Sequence, residues 1–541
     1  MSSRSFASSR VCDGLAALAL LASGLIALIT FRHYGLGWDD FTHAEMGQKV
    51  IDLYASGFRN QEALTFVNLY MYGSGFDVLA GLSAKVLPFD LFETRRLVGA
   101  LVGIVGLFTV WRIARRVGGP VAGVVAIFVL ATCPIFYGHA FINAKDVPFA
   151  VAMAILLLGL VRAIEEYPRP SPVTVMIFGV GLGLTIGTRI MGGIAALYAA
   201  AAVMLIIGLE WRSLGWRDAV SRFGRFTLAL LPGFVVAYLI MGLLWPWSVV
   251  EVLNPVKALT YFSVFFEKPW REVFNGQLIS VPDMPWTYLP TLLGLQLPEI
   301  MLALTLFGLV MVCVWLLTGN RSIRERAVLL LVAAAVIVPI AVTLLERPAM
   351  YNGFRHLIFL LPPMAILAGL AGGWILQQAA RAGRPALATV AAVGVIGFAS
   401  PVVEMVRLHP YEYTHFNRIE GGVKAADGNF MLDYWGLSLK QAAQQLRENL
   451  TARAETPPNG RKWKVAVCGP HPIVRVELGS EFELTWNPHD ADFALMLGTY
   501  YCAQFRAPII AKVDRAGVTY AKAYDVREHA YTTLFTIPPI Q

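Results

Sequence analysis

Residues 147–164, VPFAVAMAILLLGLVRAI, decide the fold class of this chain. Arg162 is the only charged residue in this run, and it lies near the end. Lys145 and Asp146 directly precede the run, so the charged residues gather at its two ends. A helix of about 18–20 predominantly apolar residues is long enough to cross the hydrocarbon core of a bilayer. We therefore predict a transmembrane helix here.

Similar apolar runs occur along most of the chain on both sides of this one. The eleven predicted spans are 14–31, 97–111, 120–138, 147–164, 173–188, 191–209, 226–247, 290–317, 327–345, 355–377 and 386–406. The composition agrees, because 57% of the 541 residues are hydrophobic and only 15% are charged, against about 25% charged in soluble domains. The mean hydropathy is +0.59. We predict an all-α polytopic membrane domain with about eleven transmembrane helices.

The positive charges between the spans are strongly sorted. Arginine clusters fall in alternate gaps, at 112–116, 162–169, 212–225, 321–326 and 381–384. By the positive-inside rule these gaps are cytoplasmic, and so is the N-terminus. The opposite side then carries the loops 32–96, 139–146, 248–289 and 346–354 and the tail from about 407. Loop anchoring explains the net charge of +8, and no nucleic-acid-binding signature accompanies it.

Two apolar segments permit a second interpretation. The run 14–31 could be a cleaved secretory signal, but it continues without a break beyond the usual length of such a signal, which favours a retained span. The weaker run 76–87 could be a twelfth span, yet crossing there would move the basic cluster at 112–116 to the outside. We therefore predict an interfacial helix at 76–87, preceded by another at 43–56.

The composition changes after the last span. Polar residues dominate from about 410, and residues 434–449 have helical periodicity. Residues 463–468 and 493–498 have the character of short buried strands. We predict a multi-spanning membrane domain over 1–409 and a small extracytoplasmic α/β domain over 410–541.

The chain contains five cysteines, three of them in or beside apolar runs. Their spacing matches neither a disulfide framework nor a zinc site. Cys468 and Cys502 are the only two in the tail. In an oxidising compartment they could form a disulfide bond, and otherwise they would be two buried thiols on strands.

Two adjacent carboxylates follow the first span. Asp39 and Asp40 lie in the stretch 37–47, GWDDFTHAEMG, close to the end of a membrane helix and flanked by aromatic residues. Partial desolvation raises the proton affinity of a carboxylate, so the pair could hold a general base. Alternatively, one of the two is only the N-cap of a helix that starts near residue 41.

More charged residues are predicted on the same outer face. Lys145 and Asp146 lie in an outer connection, Arg189 lies at the turn between the fifth and sixth spans, and Arg355 and His356 open the tenth span. Each has an ordinary explanation, since Lys145 and Asp146 can pair and an arginine at a helix end can extend to the interface. A guanidinium is also well shaped to hold a phosphate through paired hydrogen bonds. Two arginines beside an acidic pair therefore indicate a site where a phosphorylated lipid binds next to a general base.

The outer loop 248–289 is rich in aromatic residues, among them Trp270, Trp286 and Tyr288. Aromatic platforms suit sugar faces and polyprenyl chains, so the loop could gate a substrate. Tryptophan and tyrosine are also common at the interface of any membrane protein. Both interpretations stay open for Trp286 and Tyr288.

Four motifs together resemble a known family. They are DDFTH at 39–43, KDVP at 145–148, WTYLP at 286–290 and RHLIFLLPP at 355–363. Their order and their common side of the membrane resemble the polyprenyl-phosphate-sugar-dependent glycosyltransferases of the GT-C type, which include protein O-mannosyltransferases and lipid A aminoarabinose transferases. The resemblance covers roughly residues 14–440.

The resemblance implies roles for the candidate site residues. In this family the first member of an acidic pair acts in catalysis, which corresponds to Asp39, and Asp40 stands where the family usually has glutamate. Asp146 corresponds to the second acid of the family. The implied substrate-binding residues are Lys145, Arg189, Arg355, His356, Trp286 and Tyr288. The resemblance leaves open whether a divalent cation, Mg, Mn or Zn, takes part.

The implied reaction is the transfer of a sugar from a polyprenyl-phosphate carrier to a hydroxyl or phosphate group of a protein, glycan or lipid acceptor. Such an enzyme would lie in the inner (plasma) membrane, with its active site facing the periplasm or cell exterior, and would serve the cell envelope, for instance in protein O-glycosylation. A secondary transporter or lipid flippase is the alternative, and a non-catalytic membrane scaffold is a third. Transporters tend to place ionisable groups near the bilayer midplane, whereas here the charges gather at one face, which favours the transferase.

Overall fold

The computed structural model describes residues 8–263 and 271–537, so Trp270 lies outside the described part of the chain. Up to residue 408 the described residues form sixteen α-helices and one two-stranded hairpin. The helices are α1 (Ser9–Thr30), α2 (Asp40–Ala55), α3 (Gly75–Ser83), α4 (Leu91–Gly118), α5 (Pro120–Ala131), α6 (Pro134–Ile142), α7 (Asp146–Glu165), α8 (Pro172–Ile186), α9 (Ala195–Leu214), α10 (Trp216–Leu244), α11 (Asn254–Ser263), α12 (Tyr288–Gln296), α13 (Glu299–Thr318), α14 (Ile323–Glu346), α15 (Leu361–Ala382) and α16 (Arg384–Leu408). The hairpin pairs β1 (Arg271–Phe274) with β2 (Gln277–Ser280).

Nine of the described helices are long and apolar enough to cross a membrane. They are α1, α4, α7, α9, α10, α13, α14, α15 and α16. The consecutive helices α5 and α6 form a further span with a bend of 62°, and α8 is a shorter apolar helix of 15 residues. These eleven apolar segments correspond to the eleven predicted spans, and the predicted polytopic membrane fold is confirmed.

Several predicted spans begin at a different place in the structure, and for two of them a single residue explains the difference. Helix α4 starts at Leu91, six residues earlier than predicted, because Asp90 caps it by accepting hydrogen bonds from two backbone N–H groups of the first turn. The prediction of one continuous span over 290–317 is wrong, since the chain breaks at Pro298 between α12 and α13. Hydropathy is averaged over a window and does not register a single cap or a single proline.

The most buried spans are those next to the connections that carry the charged residues. Helices α15, α7 and α4 have the largest buried share, whereas α1, α10 and α16 expose most of their apolar residues, as expected of helices in contact with lipid. Because α7 begins at Asp146 and the span of α15 is preceded by Arg355, these two side chains stand on the rigid centre of the bundle.

The loop between α1 and α4 contains two short helices, α2 and α3, in the segments where helices were predicted. Helix α3 has 9 residues, too few to cross a bilayer, so there is no twelfth span there. The two helices approach closely at Gly47, where an added Cβ would lie 2.8 Å from the backbone oxygen of Asp77. The missing side chain of Gly47 brings the polar side chains of α2 and α3 together.

The tail forms a small α/β domain, as predicted. Its elements are α17 (Val423–Ala426), α18 (Leu439–Ala452), β3 (Trp463–Cys468), α19 (His471–Leu478), β4 (Phe482–Thr485), β5 (Phe493–Leu497), β6 (Ile509–Arg515) and β7 (Val518–Asp525). In the sheet order β4-β3-β5-β7-β6, β3 is parallel to β4 and β5, and β7 is antiparallel to β5 and β6. The predicted strands coincide with β3 and β5. The predicted helix begins only at Leu439, because Asp433 accepts hydrogen bonds from the backbone N–H groups before it and holds a turn there.

Cys468 and Cys502 form a disulfide bond within the tail. The bond joins the end of β3 to the loop between β5 and β6. Of the two interpretations left open by the sequence, the structure therefore has the disulfide. Disulfide bonds persist in oxidising compartments, which agrees with a tail outside the cytoplasm.

Candidate active site

Two adjacent cavities lie where the connections that carry the candidate residues meet. The larger has a volume of about 930 Å³, and its lining includes Asp39, His43, Lys145, Arg189, Arg355 and His356. The lining of the smaller includes Asp39, Asp40, His43, Lys145, Asp146, Arg355 and Trp435. The structure thus brings together every candidate site residue from the sequence except Trp286 and Tyr288.

Asp39 occupies the N-cap position of α2 but does not cap the helix. Its side chain makes no capping hydrogen bond, and we find no hydrogen bond or ion pair to its carboxylate among the described residues. Burial by itself raises the pKa of Asp39, but the charges of Lys145 and Arg355 outweigh this effect, so that the pKa is lowered. The carboxylate is therefore ionised at neutral pH, lines both cavities and keeps its lone pairs free for a proton donor.

Asp40, the next residue, is buried, and both oxygens of its carboxylate accept hydrogen bonds. Arg96 holds it with two groups, since Nη2 pairs with Oδ2 and Nη1 donates to Oδ1 at 3.0 Å. The backbone N–H of Gly37 also donates to Oδ2, at 2.6 Å. Asp40 therefore orders the loop before α2, and of the two neighbouring carboxylates only that of Asp39 is free.

Asp146 at the start of α7 orients two arginines. Nη2 of Arg189 lies 2.7 Å from Oδ1, and Nη1 of Arg355 lies 3.9 Å from Oδ2. Asn143 donates to Oδ2 at 2.6 Å and accepts the backbone N–H groups of Lys145 and Asp146. Asn143 was not among the predicted site residues, although an asparagine shortly before a helix is a known turn signal.

Lys145 extends over the ring of Tyr72, which belongs to the loop between α1 and α4. Its Nζ lies 4.6 Å from the ring centroid, and the guanidinium of Arg189 lies 5.8 Å from the same centroid. Burial lowers the pKa of Lys145 and raises the pKa of Tyr72. An anion bound beside Lys145 would favour its charged form. Tyr72 was not among the predicted site residues, because a contact between distant segments leaves no local pattern in the sequence.

Arg355 lies between two aromatic rings. Its Cζ is 4.9 Å from the ring centroid of Tyr351 and 5.0 Å from that of Trp435, which belongs to the tail. The Nε–H groups of Arg355 and Arg189 and the Nδ1 of His356 are buried without a hydrogen-bond partner among the described residues. Because buried polar groups are normally paired, these atoms indicate a polar ligand in the cavity.

Trp286 and Tyr288 line neither cavity. The side chain of Trp286 is 57% exposed, whereas Tyr288 is buried and donates its hydroxyl to Oε1 of Glu272 at 2.7 Å. Glu272 also accepts the backbone N–H of Asn352, shortly before Arg355. Burial raises the pKa of Glu272 to about 7. Tyr288 is therefore connected to the site indirectly, through the turn that presents Arg355.

The side chains at the cavities do not form a good site for a divalent cation. Within residues 8–263 and 271–537, no group of three or more histidine, cysteine, aspartate or glutamate side chains could hold a metal ion. Asp39 and Asp146 are accompanied by three cationic side chains, whereas Mg²⁺ and Mn²⁺ prefer several oxygen ligands.

The fold is that of membrane glycosyltransferases of the GT-C type. The crystal structure of the Archaeoglobus fulgidus oligosaccharyltransferase in the apo form superposes with a TM-score of 0.51 and 12% identity, over 88% of this chain and 65% of that one. The archaeal oligosaccharyltransferase AglB from Archaeoglobus fulgidus, in complex with an inhibitory peptide and a dolichol-phosphate, superposes with a TM-score of 0.51 and 11% identity. This match covers 86% of this chain and 64% of that one. ArnT from Cupriavidus metallidurans in the apo state superposes with a TM-score of 0.48 and 15% identity, over 95% of this chain and 98% of that one.

The sequence also matches a family model. Residues 76–237, which include Lys145, Asp146 and Arg189, match the model of the dolichyl-phosphate-mannose-protein mannosyltransferases. This match indicates a glycosyltransferase, and with the fold it confirms the resemblance to the GT-C type predicted from the sequence. The chain is a multi-pass membrane protein, as predicted. No curated protein sequence matches the chain.

Proposed function

We propose that this protein transfers a sugar from a polyprenyl-phosphate carrier to an acceptor hydroxyl or phosphate group on the extracytoplasmic face of the membrane. The observation that carries the proposal is the free carboxylate of Asp39 beside a pocket formed by Lys145, Arg189 and Arg355. Transfer of a sugar from a phosphate to a hydroxyl requires both features. A base must take the proton of the acceptor, and positive charge must stabilise the departing phosphate.

The cationic pocket fits a lipid-linked phosphate. Three cationic side chains, those of Lys145, Arg189 and Arg355, lie beside the carboxylates of Asp39 and Asp146. The buried Nε–H groups of both arginines lack a partner among the described residues. A phosphodiester carries one negative charge, and a guanidinium can bind it through two N–H groups. AglB, which has the same fold, forms a complex with a dolichol-phosphate, and this supports a carrier of that kind here.

The larger cavity suits a sugar followed by a polyprenyl chain. Its volume of about 930 Å³ lies near the upper end of the range for ligand sites, about 300–1,000 Å³. Besides the charged groups its lining includes Ile190, Ile194, Leu259 and Leu357. These apolar walls favour a hydrocarbon chain next to the phosphate pocket.

Asp39 acts as the general base in this proposal. As the acceptor oxygen attacks the anomeric carbon, its proton passes to the carboxylate of Asp39. The bond between the anomeric carbon and the phosphate oxygen breaks, and its electron pair stays on the phosphate. Arg355 and Lys145 stabilise the negative charge that develops there. A single displacement of this kind inverts the configuration at the anomeric carbon.

The proposed reaction takes place outside the cytoplasm, at the inner membrane of the cell envelope. The disulfide bond in the tail and the sorting of arginines between the spans support this orientation. The acceptor is then a protein, glycan or lipid that reaches the periplasm or cell exterior, and protein O-glycosylation is one such reaction. Trp435 brings the tail to the edge of the site, where it could contact an acceptor.

Proteoliposomes with the purified protein and a labelled polyprenyl-phosphate sugar test this function against a transporter or flippase. We expect the label to be transferred covalently to a protein, glycan or lipid fraction of the envelope, which mass spectrometry of the products detects. Liposomes without the protein are the control. Movement of the intact labelled lipid across the bilayer without a transfer product would contradict the proposal and favour a flippase.

A further inference from the structure

His43 is a buried histidine in the wall of both cavities. Its side chain is 4% exposed, and it lies four residues after Asp39 at the start of α2, so the two side chains lie on the same side of the helix. Its Nδ1 is 2.8 Å from Oδ2 of Asp77, whereas its Nε2 is buried and has no hydrogen-bond partner among the described residues. Since buried polar atoms are rarely unpaired, the free Nε2 indicates a place for a proton or for a polar group of a ligand.

Asp77 determines which nitrogen of His43 carries the hydrogen. Asp77 lies on α3, and its Oδ1 accepts a hydrogen bond from Nη2 of Arg95 at 2.7 Å. Burial raises the pKa of Asp77, but His43 and Arg95 outweigh this effect and the pKa is lowered. An ionised carboxylate has no proton to donate, so Nδ1 donates to Asp77, and in the neutral form of the imidazole Nε2 is then the nitrogen with the free lone pair. A buried carboxylate that orients a histidine in this way is a known arrangement for proton transfer.

We propose that Nε2 of His43 accepts from Asp39 the proton that the acceptor hydroxyl has given up. This inference rests on the proposed transferase function. Lys145 and Arg355 stabilise the ionised form of Asp39, so a proton on that carboxylate is held weakly and must leave before the next turnover. An imidazole generally binds a proton more tightly than a carboxylate does, and Asp77 stabilises the imidazolium that forms.

The proposed sequence of steps balances atoms and charge. The O–H bond of the acceptor breaks as its oxygen bonds to the anomeric carbon, and the electrons of the sugar–phosphate bond remain on the polyprenyl phosphate. The proton moves from the acceptor oxygen to Asp39 and from there to Nε2 of His43. Asp39 returns to its ionised form, and His43 releases the proton to solvent when the products leave the cavity. No oxidant, reductant or further reactant is required.

The variant His43→Asn separates the role of Nε2 from that of Nδ1. Its amide N–H can replace the hydrogen bond to Asp77, but nothing replaces Nε2. We expect kcat to fall about 10²-fold, the usual scale for a proton-transfer group, while the Kd for polyprenyl phosphate stays unchanged. Imidazole added to the assay should restore part of the lost kcat, an effect that the loss of a purely structural contact would not produce.

His415→Asn is the matched control. His415 is also buried and bonded through Nδ1, to the backbone oxygen of Gln296, but it lines neither cavity of the active site, so we expect wild-type kcat. An inactive wild-type protein would overturn the proposed function itself. If the wild type is active, two results for His43→Asn would overturn only the role of His43. These are a normal kcat, or a loss of kcat that imidazole does not rescue. If His43→Asn does not fold, His43→Gln is measured by the same two criteria.

Discussion

Asp39 and Asp40 have the same side chain and adjacent positions, yet their surroundings differ. Asp39 has a free carboxylate in the cavity, whereas Asp40 is held by Arg96 and the backbone N–H of Gly37. Successive residues at the start of a helix point in different directions, so one carboxylate reaches the cavity and the other reaches the protein interior. We infer that the first serves the chemistry and the second serves the stability of the loop.

Asp40→Asn should therefore affect stability more than catalysis. Without the negative charge the buried guanidinium of Arg96 loses its counter-ion, and breaking a buried pair in this way costs about 3–5 kcal/mol. We expect a lower melting temperature in detergent and only a moderate loss of kcat in the protein that remains folded. Wild-type stability combined with a large loss of kcat would instead assign Asp40 a direct part in the reaction.

Arg355→Lys keeps the positive charge but loses the planar guanidinium between Tyr351 and Trp435. We expect the Kd for polyprenyl phosphate to rise about tenfold or more, since a hydrogen bond to a charged group contributes about 1.5–3 kcal/mol. Arg355→Ala should weaken binding further because the charge is also lost. Arg453→Lys, an exposed position outside the cavities, is the control. An unchanged Kd in both Arg355 variants would leave that residue only a packing role.

The β1–β2 hairpin connects the turn before Arg355 with the tail. On one side Glu272 accepts hydrogen bonds from Tyr288 and from the backbone of that turn. On the other side Phe274 forms a β-bridge with Phe430, which precedes Trp435 in the tail. The hairpin thus supports both aromatic neighbours of the same guanidinium, although it lies outside the cavities.

Glu272 should make the stability of the protein depend on pH. Its pKa is raised in the folded state to about 7, so its contribution is fully present below the ordinary pKa of 4.5 and is lost as the pH rises through 7. The loss is on the order of 3 kcal/mol. Glu272→Gln mimics the protonated form, so its stability relative to the wild type should increase between pH 5 and pH 8. Thermal unfolding at both pH values measures this, and a difference that does not change with pH would contradict it.

Hydropathy predicted the spans well where a long run of residues decides, as in α14 and α16. It failed where one residue decides. The break at Pro298 and the early start of α4 at Asp90 depend on a single proline and a single cap, which a window average cannot register. The bend between α5 and α6 likewise falls inside one apolar run, next to Pro134.

The candidate site was predictable to the extent that topology determines it. Span parity and arginine sorting place the loops of Asp39, Lys145 and Arg355 on one side of the membrane, and the structure brings these residues to the same cavities. Tyr72 and Trp435 could not be found in this way. They reach the site through packing between segments far apart in sequence, and such contacts leave no periodic signal.

The tail is bonded to the membrane helices as well as to the site. The Nδ2 of Asn417 donates to the backbone oxygens of Gly294, in the last turn of α12, and of Leu297, which follows that helix. Trp435 then reaches the smaller cavity. The domain at the C-terminal end is therefore placed to influence the active site directly, and its own stability bears on the position of Trp435.

Thiol labelling in denaturant tests the disulfide bond of the tail. Without reductant we expect three labelled cysteines, Cys12, Cys133 and Cys313, and five after reduction. Replacing both Cys468 and Cys502 by serine should lower stability by about 2–4 kcal/mol and leave kcat unchanged, because no proposed step uses sulfur. Five labelled cysteines without reductant would exclude the bond.

The decisive measurement is the rate of sugar transfer by purified Asp39→Asn, taken together with its affinity for polyprenyl phosphate. We predict that kcat falls about 10²–10⁴-fold while the carrier still binds, because the amide cannot take the acceptor proton. Asp52→Asn, which changes a carboxylate on the same helix outside both cavities, should behave as the wild type. Wild-type kcat in Asp39→Asn would contradict the account, since Asp39 would then only mark the start of α2.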